Sequence, residues 1–279
     1  MNKLHLILFF VLNISLNAQN HRFIYEYKYV PDSTKVDSVL TENMRLTIFK
    51  DHSEFLSEMK AKSDSSNLKS SENNGDANFS PGNIRNFIWK SYHDAKDYSL
   101  EYIGMESYKV YDERKLNWKL LNENKKIQNY NCQKATVKFG NREWTAWFTT
   151  DLPFQDGPNI FKNLPGLIVA IEDTKKHHSF QLVANYETND NLHKVKSFSL
   201  LKTYEVNRKQ FNKKWNEYRR NPIGNNEQFL LMNPQIKMIS IQDEKGNTIN
   251  LEELRKNERN QAKKNILRNN NFLDLELYR

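Results

Sequence analysis

Apolar and polar residues alternate along much of the chain before residue 205. In residues 22–30, aromatic side chains fill every second position from Phe23 to Tyr29. A period of two indicates a strand with one buried face. Short segments of this kind recur at close to the roughly 8–12-residue spacing of antiparallel β domains. The predicted strands cover residues 22–30, 43–49, 87–90, 98–103, 107–111, 116–120, 135–139, 143–149, 167–171, 179–186 and 196–200.

These strands predict a mainly β fold, a large curved antiparallel sheet or half-barrel. The first two predicted strands are expected to pair as a hairpin. Residues 135–139 and 143–149 are expected to form another, because Gly140-Asn141 between them favours a tight turn.

The pattern becomes helical after residue 205. Phe211, Trp215 and Tyr218 follow one another at i, i+4 and i+7 among basic and amide residues. This spacing predicts an amphipathic helix over 206–220 that packs on the sheet, although a basic helix of this kind can also lie on an anionic membrane. Residues 251–268 predict a charged C-terminal helix with few apolar positions.

The domain organisation follows from these segments. We expect a signal peptide at 1–18, a β-rich domain at 19–205 and a C-terminal helical extension at 206–279 with a small hairpin at 237–249. Within the β-rich domain, residues 53–60 have helical spacing after a plausible N-cap. Residues 62–81 are rich in Ser, Asn, Asp and Lys, and this composition predicts a mobile loop.

The first residues predict export. A short basic start is followed by the apolar residues 4–16 and by Asn17-Ala18-Gln19, which resembles a cleavage site. The apolar run is shorter than the ~20 residues that span a bilayer. We therefore expect a periplasmic or extracellular protein without a transmembrane segment in the mature chain.

Composition adds little about partners. The chain has a formal net charge of +8, and removal of Lys3 with the signal peptide leaves +8 − 1 = +7. A basic surface can attract anionic partners. No aromatic-interleaved nucleic-acid motif accompanies the charge, so we expect no nucleic-acid partner.

Residues 149–173 form the most distinctive stretch of the chain. Asp156-Gly157-Pro158 predicts one turn, and Asn163-Leu164-Pro165-Gly166 predicts a second one of type II. Glycine in these turns is expected to adopt a positive φ. The apolar residues 167–171 then predict a buried strand, so the unit is strand, double-turn loop and buried strand.

This stretch resembles a known family. Leu164-Pro165-Gly166-Leu167-Ile168 matches the core of the signature of the GLPGLI family of exported proteins from Bacteroidetes-type bacteria. Asn163 stands where the family has its first glycine, and Asn also tolerates the left-handed conformation. Further motif residues occur in the family's order over 127–180. They are Cys132, Trp144, Trp147, Pro153, Gly157 and Pro158. The resemblance implies an exported protein and carries no established biochemical activity.

The candidate chemistry is sparse. Cys132 is the only cysteine, so it cannot form an internal disulfide. We interpret it as a buried thiol, with a reactive nucleophile or an intermolecular disulfide as alternatives. His177-His178 near Asp173 predicts a solvated turn rather than a metal site. No recognised catalytic motif is present, so we assign no catalytic residue, metal ligand or cofactor.

The excess of aromatic residues suggests a function. Tyr25, Tyr27, Trp144 and Phe148 are candidates to line a ligand cavity. The leading hypothesis is a non-enzymatic binding or carrier protein of the cell envelope, with an apolar or amphiphilic ligand such as a lipid or a peptide. The alternatives are an envelope hydrolase that uses Cys132 or the loop residues Asp151 and Asp156, and an accessory protein that partners an outer-membrane transporter.

Overall fold

The computed structural model describes residues 20–72, 82–94, 96–104, 106–188, 203–224, 227, 232 and 251–279. Strands and helices of this part of the chain are numbered in order. The strands are β1 Asn20–Tyr29, β2 Leu40–Ile48, β3 His52–Ser57, β4 Phe87–Ser91, β5 Asp97–Ile103, β6 Glu106–Asp112, β7 Lys119–Ile127, β8 Tyr130–Phe139, β9 Arg142–Thr149, β10 Leu167–Asp173, β11 His178–Thr188 and β12 Thr203–Asn207. The helices are α1 Glu58–Glu72, α2 Arg208–Arg220 and α3 Leu251–Arg268.

The twelve described strands form one open sheet in the order β12-β6-β5-β4-β3-β2-β1-β11-β10-β9-β8-β7. Neighbouring strands are antiparallel, except that β12 runs parallel to β6. The prediction of a mainly β fold is therefore confirmed. The first strand lies near the middle of the sheet, where β1 pairs with β2 on one side and with β11 on the other.

The main core covers one face of the sheet, which we call the inner face. The aromatic residues of β1 point to this face because they occupy alternate positions. They join Trp144 and Phe148 of β9, and Phe161 and Leu164 from the loop between β9 and β10, in one buried cluster. Residues 150–166, which we call the signature loop, thus pack on the inner face and bury its aromatic residues from water.

A second core lies beneath α2. Phe211 and Trp215 are buried there against Tyr108 and Val110 of β6. A capping box at Asn207 and Gln210 begins the helix, because each side chain bonds the other's backbone N–H. The predicted amphipathic helix packed on the sheet is confirmed. It begins at Arg208, because the preceding residues pair with β6 as β12.

The structure corrects the prediction for residues 53–72. Residues 53–57 belong to β3. Phe55 joins the main core on the inner face, and Leu56 packs beneath α1 on the outer face. A strand that is buried on both faces loses its alternation, which explains why the helix predicted at 53–60 is wrong at 53–57. Residues 58–60 are helical, as predicted. The Ser57 hydroxyl then accepts a hydrogen bond from the Lys60 N–H, at 3.3 Å, as an N-cap.

Residues 62–72, assigned to a mobile loop at 62–81, are helical in α1. Two pairs at i, i+4 spacing support the helix, Glu58–Lys62 at 3.2 Å and Lys60–Asp64 at 2.7 Å. Residues 73–81 lie outside the described residues. The predicted signal peptide, the strand at 196–200 and the hairpin at 237–249 also lie outside them. No helix of the described residues is long and apolar enough to cross a membrane.

The structure also revises the two turns of the signature loop. Neither Gly157 nor Gly166 has a positive φ; in that loop Asn159, at 53°, and Asn163, at 71°, adopt the left-handed conformation. Gly166 is required for a different reason, since a Cβ there would overlap the Thr149 carbonyl oxygen. At Gly157 a Cβ would lie 2.7 Å from the Ile168 side chain. Both glycines therefore allow close packing rather than a left-handed turn.

The other predicted tight turn is confirmed. Gly140 and Asn141 have φ values of 61° and 57° between β8 and β9, which form the predicted hairpin. Two successive positive values are typical of a type I′ turn.

Candidate ligand-binding cavity

A buried ion pair attaches the signature loop to the inner face. Lys90 of β4 and Asp156 of the loop are almost fully buried, and the Lys90 ammonium donates to the Asp156 carboxylate and, at 2.6 Å, to the Gly157 carbonyl oxygen. The Tyr92 hydroxyl donates to the second Asp156 oxygen, also at 2.6 Å. Burial lowers the pKa of Lys90. Because a buried charge is tolerated only when it is paired, these bonds hold the loop in one position.

A second ion pair holds the other end of the loop. Lys162 donates to Asp97 at 2.8 Å and to the Ser91 carbonyl oxygen at 2.9 Å. The Trp118 indole N–H donates to the Lys162 carbonyl oxygen at 2.8 Å. The loop is therefore bound to β4, β5 and the segment before β7.

The last eleven residues, 269–279, also cross the inner face, and we call them the C-terminal tail. Arg142 of β9 pairs with Asp173 at 2.9 Å, and both side chains are buried. Its guanidinium also donates to the Asn271 side chain at 2.6 Å and to the Phe272 carbonyl oxygen at 2.8 Å. At the β8–β9 turn the Leu275 N–H donates to the Gly140 carbonyl oxygen at 3.1 Å. The tail is thus attached to the strands on one side of the inner face.

The end of the tail packs against α2 on the other side. Leu277 is buried in the second core, and the Tyr278 ring stacks on Phe272 with a centroid distance of 3.9 Å. The Trp215 indole N–H donates to the Tyr278 carbonyl oxygen at 2.8 Å. Asp274 accepts bonds at 2.7 Å from both Arg114 and Arg208. The tail therefore links the β8–β9 hairpin to α2 across the inner face.

A cavity of about 470 Å³ lies between the sheet, the signature loop, the tail and α3. This volume is in the range of pockets for small organic ligands. One side is apolar, and its residues come mainly from the inner face. They include Tyr27, Met44, Phe55, Ile88 and Phe180. The rings of Tyr27 and Phe180 are stacked face to face, with centroids 4.2 Å apart.

The cavity also has polar lining residues. Asn86, Ser99 and Glu101 line it from the sheet side, and Tyr278 lines it from the tail. Glu101 is only 4% exposed. Its Oε2 atom accepts a hydrogen bond from the Tyr278 hydroxyl at 2.5 Å and another from the Asn86 amide. Burial raises the pKa of Glu101 to about 7. The cavity therefore combines an aromatic wall with a carboxyl group that ionises near neutral pH.

A second depression, of about 800 Å³, opens on the other side of the signature loop. Four of its charged residues are already paired: Asp97 binds Lys162, and Asp112 binds Arg114 at 2.7 Å. Asp112 borders both spaces, so this ion-pair network is part of the boundary between them. The smaller cavity is the better candidate site, because it combines an apolar wall with the buried Glu101 carboxyl group.

The four aromatic residues proposed from sequence lie in two places. Tyr27 lines the cavity. Tyr25, Trp144 and Phe148 are buried in the main core instead. The Tyr25 hydroxyl donates to the Ile168 carbonyl oxygen at 2.7 Å, and the Trp144 indole donates to the Phe139 carbonyl oxygen at 3.1 Å. These bonds satisfy the polar atoms of both rings and hold neighbouring segments together.

The signature residues form the support of the site. Leu164, Leu167 and Ile168 are fully buried, whereas Asn163 and Pro165 are exposed at the turn. Two more loop residues, Asn159 and Ile160, reach the cavity wall. Of the associated motif residues, Gly157 and Pro158 are buried, Trp144 and Cys132 lie in the core, Trp147 is half-buried and Pro153 is exposed. The Lys125 ammonium lies 4.1 Å from the centre of the Trp147 ring.

The residues of the hydrolase alternative lie in three separate environments. Cys132 is buried, its thiol donates to the Tyr130 carbonyl oxygen at 3.7 Å, and burial raises its pKa to about 11. At neutral pH almost none of it is thiolate, which is the nucleophilic form. Asp151 accepts a hydrogen bond from the Asn131 N–H at 3.3 Å, and Asp156 forms the buried ion pair with Lys90.

The histidine pair corrects another expectation. His178 is buried in β11 rather than solvated, and its Nδ1 lies 2.7 Å from the Tyr27 hydroxyl. The backbone N–H of His178 donates to the Asp173 carboxylate at 2.8 Å. Burial holds the pKa of His178 well below its usual value, so the ring is neutral. Within the described ranges, no group of three or more acidic, His or Cys residues is placed to hold a metal ion.

Sequence reasoning missed Glu101 and the tail. In β5 the apolar residues Tyr98 and Leu100 alternate with Ser99 and Glu101, so the pattern predicts that Ser99 and Glu101 face solvent. In the structure Tyr98 and Leu100 instead pack on the outer face near α1. Charged residues that face inward on a strand with apolar neighbours are a signal that could have indicated Glu101.

The fold and this cavity define a mainly β protein with one open sheet and a pocket bordered by its own loop and tail. A family model described as a protein of unknown function, Porph_ging, matches residues 139–170, which run from the end of β8 through the signature loop into β10. Comparison with curated proteins gives no match.

Among solved structures, the chain is similar to PNGF-II in two crystal forms, C2 and P21. Each has 16% sequence identity and a TM-score of 0.46 over 68% of this chain. The alignment covers 31% and 32% of the PNGF-II chains, so this protein spans about a third of their length.

Proposed function

We propose that the protein is an exported binding protein of the cell envelope that holds a compact amphiphilic ligand in the inner cavity. The observation that carries the proposal is the lining of the cavity. The stacked Tyr27 and Phe180 rings and their apolar neighbours offer an apolar lining, while Glu101 and Asn86 offer polar groups in the same cavity. Pockets for small ligands combine these two features. A lipid fragment or a short apolar peptide fits this description.

The support of the cavity favours binding over a purely structural void. The signature loop is held by the buried Lys90–Asp156 pair, and the tail is held by hydrogen bonds from Arg142, which itself forms a buried pair with Asp173. Such pairs are expensive to bury but fix the position of the segments that carry them. A preorganised wall lowers the entropic cost of binding a ligand.

Export and family membership belong to the same proposal. The apolar start of the chain and the likeness to the GLPGLI signature both favour an envelope protein. The segment that matches the Porph_ging model, residues 139–170, is the segment that carries the signature, which supports this assignment. The hydrolase alternative has less support, because burial disfavours the Cys132 thiolate and Asp156 is paired with Lys90.

A cavity-filling variant tests the proposal. Ser99 is small and lines the cavity, so Ser99→Phe should fill it. Ser179 lies on the opposite face of the sheet, because its neighbour Phe180 points inward. Ser179→Phe is therefore a matched control. We expect the mature protein to bind an environment-sensitive hydrophobic dye at one site, with the Ser99→Phe variant losing at least about tenfold in affinity.

Envelope lipids or apolar peptides should displace the dye from the wild type. Thermal melting of all three proteins establishes that they are folded. If the wild type is folded but shows no saturable binding, or if both variants bind as it does, the cavity is not a ligand site. An interaction with an envelope protein would then be the better explanation.

A further inference from the structure

We propose that the cavity selects a ligand whose polar end is a protonated amine, which Glu101 binds. This inference rests on the proposed function and names the chemical class of its ligand. It follows from the way in which the charged groups around the cavity are paired.

The other acidic residues at the cavity are neutralised within the protein. Asp112 and Asp274 share two arginines: Arg114 binds both at 2.7 Å, and Arg208 binds them at 3.1 and 2.7 Å. Arg114 also binds the more exposed Glu276 at 2.9 Å, and each of the two cavity acids is bonded to both arginines. A ligand therefore gains little by approaching these acids.

Glu101 differs, because the hydrogen bonds that it accepts come from neutral groups. Both the Tyr278 hydroxyl and the Asn86 amide donate to the same oxygen, Oε2. The Ser99 side chain also hydrogen-bonds the carboxylate, so all three donors are neutral. A buried carboxylate without a cation is costly, and a hydrogen bond to a charged donor is about twice as strong as one between neutral groups.

The surroundings of Glu101 determine the sign of the preference. Ser99 faces Glu101 from the same strand, and Asn86 faces it from the loop before β4. Tyr278 and Asp274 face it from the tail, while the positive charge of Arg208 in α2 weakly lowers the pKa of Glu101. Arg85 is engaged elsewhere, with its guanidinium 4.3 Å from the centre of the Tyr102 ring. An ammonium group would supply the missing counter-charge to Glu101, whereas a carboxylate would be repelled.

The rest of the cavity fits the body of such a ligand. Tyr27 and Phe180 line the same cavity of about 470 Å³, but they lie at least four strands away from Glu101 in the sheet. Ile88 pairs with Ser99 and also lines the cavity, so an apolar body can pack beside an amine that binds Glu101. Amine-bearing lipid fragments and short apolar peptides with a free amino end share this chemistry.

Three probes with the same apolar body and different ends test the inference: phenylbutylamine, phenylbutanol and phenylbutyrate. Their affinities are measured by calorimetry at about pH 8, where Glu101 is mostly ionised and an alkyl amine is still protonated. We expect the wild type to bind the amine at least about tenfold more tightly than the alcohol, and the acid most weakly.

Glu101→Gln should remove this preference while keeping the affinity for the alcohol, because the amide oxygen can still accept from Tyr278. Glu123→Gln is the control, since it removes the same charge from an exposed position on β7. Equal affinities for the three probes, a preference for the acid, or an amine preference that survives Glu101→Gln would overturn the inference and leave the binding function intact. If no probe binds and the dye fails as well, the proposed function itself is wrong.

Discussion

At the scale of single residues, Glu101 links a carboxyl group in the cavity to the stability of the fold. An unfolded Glu ionises near its ordinary pKa of 4.5, whereas burial raises the folded value to about 7. Between these two values the folded state binds more protons than the unfolded state. The contribution of Glu101 to the stability of the fold is therefore fully present below the unfolded pKa and is lost as the pH rises through the folded pKa.

Glu101→Gln should abolish this loss. The free energy of unfolding of the variant, relative to wild type, should rise by about 3 kcal/mol from about pH 4 to about pH 8. Urea unfolding at several pH values measures the difference, and other titrating groups cancel in it. For Glu123→Gln, at an exposed position, the difference in free energy of unfolding from wild type should not change with pH. A flat profile for Glu101→Gln would mean that Glu101 is ionised in the fold as it is in water.

Gly166 provides a second test at this scale. Its Cβ would overlap the backbone of Thr149, which cannot move without breaking the pairing of β9 with β10. Gly166→Ala should therefore destabilise the protein by at least about 2 kcal/mol. At Gly224 the nearest atom is a side-chain amide 3.1 Å away, which can rotate, so Gly224→Ala should have little effect. Similar melting temperatures for the two variants would contradict the close approach at Gly166.

Part of the site could be predicted from the sequence. The aromatic alternation of β1 correctly indicated an inward Tyr27, because a period of two needs no knowledge of the partner strands. Glycine and asparagine at the turns were recognised, but the left-handed residues of the loop are Asn159 and Asn163, not Gly166. The reason for Gly166 is a contact with a strand that begins more than twenty residues earlier, and local rules contain no such information.

At the scale of elements, strands and helices with a clear period were predicted, and segments fixed by distant partners were not. The sequence of α2 shows its buried stripe directly, since Phe211 and Trp215 lie one turn apart. The C-terminal tail has no period. Its position depends on Arg142 and on α2, which are far away along the chain.

Packing of the tail can be measured with a matched pair of substitutions. Leu277 in the tail is 4% exposed, whereas Leu267 in α3 is 69% exposed. Leu277→Ala should cost about 2–5 kcal/mol of unfolding free energy, as is usual for a buried leucine. Leu267→Ala should stay within about 0.5 kcal/mol of wild type. Faster amide hydrogen exchange in residues 269–279 should accompany the first change. Equal losses of unfolding free energy in the two variants would show that the tail is not packed as described.

At the scale of the whole molecule, one sheet is covered on its inner face by three separate segments: the signature loop, α2 and the tail. A buried ion pair holds the first of these, hydrogen bonds from Arg142 hold the last, and the aromatic residues of α2 hold the second. The cavity lies where these segments meet. The central claim is that this space binds a small molecule.

Mass spectrometry of the protein purified under native conditions from the cells that make it tests this claim most directly. The account predicts one small amphiphilic molecule for each wild-type chain, released on denaturation, and its loss from folded Ser99→Phe but not from Ser179→Phe. A folded wild-type protein that carries no bound molecule, or one that is retained equally by both variants, would contradict the account.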